Sequence, residues 1–238
     1  MNSGAEKKHT LLRITQGRDV PQFLVERVML SIVELEKAVY KSSLQGNTKR
    51  YCDWYGKNPD ILTILTPGIL TDVIGSLISM PIDNFAYKQL ENGLWTDLDI
   101  ESEHVLTYNN PGFYSLCLNT LLIDKSRVRG ISPLKLIVDA FFQKLLELAE
   151  NNIIIENIVT DAVTVEGERL ARVLGMKPAG NKLSADYLVH VMTLWPPQDI
   201  TQRLFFTSQI RLISKYRYLW EKSSCDCTVI YLNSSENN

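Results

Sequence analysis

Leu121-Leu-Ile123-Asp-Lys125-Ser-Arg127-Val-Arg129-Gly130-Ile-Ser132-Pro133 joins the end of an apolar strand to the start of an amphipathic helix. Its junction concentrates Lys125, Arg127, Arg129 and Lys135, and no acid intervenes between Asp124 and Asp139. A helix start leaves backbone N–H groups without partners and carries partial positive charge, so it attracts anions. Gly130 lets the backbone curl close to a ligand. Ser132 is a helix cap, and Pro133 gives up only an N–H that has no helical partner. These are the requirements of a pyrophosphate group. The stretch lacks Gly-Lys-Ser/Thr and Gly-x-Gly-x-x-Gly, so neither a Walker loop nor a dinucleotide loop is present.

Upstream, Phe113–Ile123 reads as a long strand. Downstream, Pro133–Glu150 reads as a helix with Leu134, Val138, Phe141, Leu145 and Leu148 on its apolar face. Ile153–Thr160 is a further strand, and Phe113–Thr160 therefore predicts a parallel crossover. Glu166–Leu174 is a short helix stopped by Gly175, and Tyr187–Leu194 is the last strand. Toward the N-terminus, Thr10–Thr15 is a strand and Leu24, Val28, Ile32, Leu35 and Val39 mark a helix. Ser42–Asn58 is polar and reads as a loop or broken helix. Asp60–Thr66 and Asp72–Ile82 form a hairpin around Pro67-Gly68. Asp83–Gly112 is an irregular insertion with a short helix at Asn84–Leu90 and the acidic run Asp97, Asp99, Glu101, Glu103. Its apolar residues Phe85, Tyr87, Leu94 and Trp95 suit either a pocket wall or a lid. Strands and helices alternate only in parts, which predicts an α/β fold with a mixed sheet.

The 238 residues carry 45% hydrophobic and 22% charged side chains and a formal net charge of -2. This excludes wholesale disorder and points to no charged partner. No apolar run reaches the length of a membrane helix, and Met1–Lys8 lacks the apolar core of a signal peptide. Cys52, Cys117, Cys225 and Cys227 form no disulfide framework, and His9, His104 and His190 are scattered. The reading is a cytoplasmic protein with no metal site, no membrane association and little case for nucleic acid. Gln198–Lys222 is a basic helix beyond Pro196-Pro197, packed on the domain or on a second copy as a homodimer. Thr228–Leu232 is a short β-like run in a polar end.

Arg127-Val-Arg-Gly130-Ile-Ser132 resembles the acyl-CoA pyrophosphate loop, Arg/Gln-x-x-Gly-x-Gly/Ala, of the GNAT N-acyltransferase superfamily. Val165–Met176 is similar to that family's later helix, with Leu174-Gly175-Met176 in place of its usual Leu-Gly-Phe ending, and Asp72-Val-Ile-Gly75 resembles its third strand. The resemblance runs from about Leu11 to Leu194. It implies a mostly antiparallel central sheet with flanking helices at residues 10–195, after a flexible stretch at 1–9 and before a C-terminal helical extension at 196–238. It also implies a strand that splays at Leu121–Ile123. Acetyl-CoA or another acyl-CoA would bind along Leu121, Leu122, Ile123, Arg127, Val128, Arg129, Gly130, Ile131, Ser132 and Thr164. The function implied is acyl transfer from acyl-CoA to the primary amine of an acceptor. Alternatives are a long-chain acyltransferase fed by an acyl-carrier protein, and a non-catalytic module that senses CoA or binds a partner. The tyrosine that often serves as general acid falls at Ala171. Among carboxylates, Glu103 precedes the long strand most closely and is the candidate base, with His104 beside it.

Overall fold

The computed structural model describes residues 11–40, 45–128, 132–184, 187–197 and 206–225. Residues 1–9 and Thr228–Leu232 lie outside the described residues, as do Arg129, Gly130 and Ile131. Among the described residues seven strands make one sheet: β1 Arg13–Gln16, β2 Leu62–Thr66, β3 Gly75–Ile82, β4 Gly112–Ile123, β5 Ile153–Ala162, β6 Lys177–Ser184 and β7 Tyr187–Thr193. Their spatial order is β1-β2-β3-β4-β5-β7-β6, and only β4 and β5 run parallel. The mixed, mostly antiparallel sheet is as the sequence implied.

Helices cover both faces. On one lie α1 (Val25–Val39), α2 (Thr48–Lys57) and α3 (Asn84–Glu91). Val28, Met29 and Ile32 of α1 meet Trp54 of α2 and Ile64, Ile78 and Met80 of the sheet in one core. On the other lie α4 (Pro133–Glu150), α5 (Val165–Val173) and α6 (Thr207–Cys225). There Ile137, Phe141 and Leu145 of α4 pack with Leu116 and Ile158 of the sheet and Tyr216 of α6. Burying each such side chain contributes roughly 1.5–3 kcal/mol, so the two cores hold the sheet between them. α6 is built into this layer: Tyr216 accepts a hydrogen bond from the Ile155 N–H at 2.8 Å, and Gln209 Nε2 donates to the Leu174 carbonyl at 2.9 Å.

Two segments differ from the sequence reading. Thr48–Lys57 is an intact helix, because the Asn47 side chain caps it by accepting from the Arg50 N–H at 2.8 Å and Tyr51, Trp54 and Tyr55 turn to the core. Lys177–Ser184 is a strand although it reads Lys-Pro-Ala-Gly-Asn-Lys-Leu-Ser, because pairing with β7 supplies what local propensity does not. Asp83–Gly112 does form the expected insertion. Its base is closed by the Ile82–Val105 bridge and by the Asp83 N–H donating to the His104 carbonyl at 3.0 Å.

Lys144 of α4 is 4% exposed, and its Nζ makes no hydrogen bond. Burial lowers its pKa from 10.5 to about 8, with Asp60 and Glu147 opposing that shift and Arg18 reinforcing it. Between those two values the unfolded chain holds more protons, so stability rises with pH. Below the lower value the buried charge is a cost of about 3 kcal/mol. Lys144→Met is expected to raise the thermal midpoint at pH 7, with an advantage that narrows between pH 8 and 10. A difference independent of pH in thermal melts would show that Lys144 is not buried as a charge.

Candidate active site

The site begins where β4 and β5 part. They pair from Gly112↔Ile153 to Cys117↔Val159 and no further. β4 stays bonded to β3 as far as Ile123↔Gly75, and β5 stays bonded to β7 as far as Ala162↔Leu188. Each strand keeps its outer neighbour while the inner edges separate. Thr160 Oγ1 closes the crotch by donating to the Leu118 carbonyl at 2.7 Å. Beyond it, backbone groups on the inner edges face a groove instead of a strand, and such groups need a ligand or water.

The groove has a volume of about 1130 Å³. Leu121, Leu122, Ile123, Arg127 and Thr164 all line it, and Lys125 and Arg169 add positive charge. Arg127 is held by Asp72, with Nη2 2.8 Å from the carboxylate. Thr164 caps α5 by accepting from the Gly167 N–H at 3.0 Å. Ser132 caps α4 through a longer contact of 3.4 Å from the Lys135 N–H. Val128 is half-buried among the apolar residues of the α4 face. Arg129, Gly130 and Ile131 belong to the segment outside the described residues. Ala171 lines the groove at 3% exposure.

Glu103 and His104 do not line the groove. Both sit in a short 3-10 turn, Ser102–His104, where Glu103 is exposed. His104 Nδ1 lies 2.8 Å from Asp83 Oδ2, and its ring packs on Trp95 and Phe85 at 5.2 and 6.0 Å. Asp83 also caps α3 through the Ala86 N–H at 2.7 Å. This pair fastens the insertion to the end of β3. Proximity to β4 in sequence misled, because the antiparallel β3–β4 pairing puts the insertion's base at the opposite end of the strands from Ile123.

The carboxylates at the fork are Asp97, from the insertion, and Asp161, from β5. Burial raises the pKa of Asp97, and the neighbouring carboxylate of Asp161 raises it further; N–H donation from Leu98 and Asn119 pulls the other way. Burial likewise raises Asp161, against donation from its own N–H and that of Asp97. Tyr40 and Tyr51 stand beside them, and burial with nearby carboxylates raises both phenols. Asn119 reaches Asp97 because of a β-bulge. Ile78 pairs Thr120 and Ser79 pairs Leu118, so Asn119 is the extra residue of β4. A bulge breaks the two-residue alternation and re-aims side chains. Here Asn119 turns to Asp97 of the insertion and Thr120 to Glu36 of α1. Asp97 was legible as part of the acidic run, and Asp161 lies one residue past the expected end of its strand. Nothing in the sequence marks the bulge.

No family model matches the chain, and no curated protein matches it in sequence. Solved structures do share its fold. The loading GNATL domain of CurA from Lyngbya majuscula is 13% identical, with a TM-score of 0.52, over 77% of this chain and 98% of that one. The polyamine N-acetyltransferase of Drosophila melanogaster is 11% identical, with a TM-score of 0.49, over 77% and 100%. A chain of the NatC complex bound to Gag peptide and CoA is 12% identical, with a TM-score of 0.47, over 76% and 98%. The fold is that of the GNAT acyltransferases.

A carboxylate whose pKa is raised by folding stabilises the protein fully below its unfolded value and loses that contribution as pH rises through the folded value. Asp161→Asn removes one of two neighbouring charges. Its thermal midpoint is expected to exceed wild type at pH 7–8, with the gain fading below pH 4. A midpoint lowered equally at every pH would mean that Asp161 is not held near a second charge.

Proposed function

We propose that this chain, which has the GNAT fold, transfers an acyl group from acyl-CoA to a primary amine. The divergence of β4 and β5 beside a cation-lined groove carries the reading. A thioester laid along the inner edge of β4 finds backbone N–H groups free to hold its carbonyl oxygen. Such donors act most strongly on the oxyanion that forms when the amine nitrogen attacks the carbonyl carbon. Lys125, Arg127 and the helix start capped by Ser132 lie where diphosphate would be met, with Arg129, Gly130 and Ile131 completing the loop by sequence. The default donor is acetyl-CoA.

The acid–base work falls to Asp97 and Asp161. The attacking amine must lose a proton, and the ionised member of the pair accepts it, directly or through water. The N–C bond forms, the C–S bond breaks, and the departing thiolate takes a proton from the protonated member or from solvent. A pair of close carboxyl groups suits this, because raised pKa values bring a carboxylate nearer to the working pH. The second reading is a CoA-binding module without turnover. Ala171, in place of the tyrosine acid, favours it.

Two measurements test the proposal. Calorimetry should detect CoA binding that Gly130→Glu abolishes, since that change adds a side chain and a negative charge to the anion loop. Asp97→Asn should retain CoA binding and lower kcat by about 10²–10⁴-fold in thiol-release assays against a panel of amines. Absence of CoA binding by the wild type would overturn the acyl-CoA reading. Binding without turnover by any acyl donor would establish the second reading.

A further inference from the structure

Glu36 is a glutamate in the wrong place for a surface helix. It lies on the core side of α1 at 1% exposure, between α2 and β4. Three polar groups surround it. The Tyr51 hydroxyl donates to Oε1, the Gly46 N–H donates to Oε2 at 3.0 Å, and Thr120 Oγ1 lies 3.4 Å from Oε1. Thr120 Oγ1 is also 2.8 Å from Asn119 Oδ1, and Asn119 Nδ2 donates to Asp97 Oδ2. A continuous line of polar atoms therefore runs from Tyr51 through Glu36, Thr120 and Asn119 to the acid pair at the fork.

The hydrogens on that line can be counted. A threonine hydroxyl has one proton to give. The shorter contact assigns it to Asn119 Oδ1, which in turn fixes the Asn119 amide with its N–H toward Asp97. Thr120 Oγ1 then faces Glu36 with a lone pair only. That contact is favourable when Glu36 carries a proton and donates it from Oε1. Every group on the line then has a partner: Gly46 N–H to Oε2, Tyr51 O–H to Oε1, Oε1–H to Thr120, Thr120 O–H to Asn119, Asn119 N–H to Asp97. With Glu36 ionised, Thr120 is drawn to the carboxylate, Asn119 Oδ1 loses its donor and the amide is free to turn away from Asp97.

We infer that Glu36 is a positioning residue, held neutral, that acts through Thr120 and Asn119 to keep an N–H on Asp97. It touches neither substrate nor reacting atoms. Its effect is to keep a hydrogen bond on the carboxylate that the mechanism uses. The raised pKa of Glu36, caused by burial and opposed by donation from Tyr51 and Gly46, is in the direction of the neutral form. The other titratable groups facing this line are Tyr40, Tyr51, Cys117, Asp97, Asp99 and Asp161. The inference rests on the acyltransferase reading only for its consequence on rate; the titration of the acid pair reports on it without any substrate.

The experiment follows the Asp97 and Asp161 carboxyl carbons by ¹³C NMR across pH in the full chain. Thr120→Val keeps the volume and removes the hydroxyl, so the fold is retained and the line is cut. The pair should then titrate at higher pH than in wild type, because Asp97 has lost an N–H donor. Glu36→Gln, combined with Tyr51→Phe so that no hydroxyl is left facing the amide nitrogen, can donate to Thr120 through Nε2 while Oε1 accepts from Gly46; the pair of changes mimics the neutral acid, and the titration should stay in place. A Glu36 that acts as a charge would, on becoming glutamine, release the pair to titrate at lower pH. That shift, or a wild-type titration in Thr120→Val, overturns the inference. With an acceptor in hand, Thr120→Val should lower kcat about tenfold and move the acid limb of the rate profile upward, leaving KM for acyl-CoA unchanged. CoA binding by calorimetry remains the separate test of the reading beneath.

Discussion

A strand can satisfy both edges only while both neighbours run beside it. β4 bonds β3 from Ser115 to Ile123, and its other edge follows β5 only to Cys117. Past that point β5 keeps to β7, and the edges cannot close again. The remainder of the site depends on this divergence. It opens the groove, exposes backbone donors where a thioester would lie, and brings Thr160 and Asp161 opposite Leu118 and Asn119. The helices on the two faces keep the strands from rejoining. α4 and α5 stand on one side of the opening, while α1, α2 and the insertion bring Glu36, Tyr51 and Asp97 to the other.

Much of this was legible in the sequence because it is periodic or punctuated. α4 has a long apolar face and a Ser-Pro start; the β2–β3 hairpin has Pro67-Gly68; α5 ends on Gly175, whose φ of +92° suits glycine. The cation excess in the β4–α4 loop is equally local. Less legible were features set by partners. β6 contains Pro178 and Gly180 and becomes a strand only beside β7. α2 looks polar because its three aromatics face the core and leave charges outside. The assignment of Glu103 failed for a related reason. Residue separation stood in for distance, whereas Asp97 reaches the fork through the fold of the insertion. The bulge at Asn119 is set by registry between two strands, and no residue type announces it.

The acid pair and Lys144 share one physical cost and differ in its use. In both, burial works against the charged form. Lys144 faces the α4 core, away from the groove, and nothing ties its charge to chemistry. Asp97 and Asp161 lie on the groove wall, where a high proton affinity would serve the proposed acid–base role. Stability is given up at both places, but only one return is visible.

The insertion between β3 and β4 is stitched at its base by Ile82–Val105 and by the Asp83 and His104 backbones. Its interior is anchored through Trp54, whose indole donates to the Ile100 carbonyl at 3.0 Å. Its two ends are therefore neighbours, and the sheet passes beneath it undisturbed. Such a segment behaves as a cassette. The residue at the Asp97 position can be replaced within it while the strands and the groove stay as they are, provided that Ala86, Tyr87, Leu90, Ile100 and Val105 keep filling the core beneath.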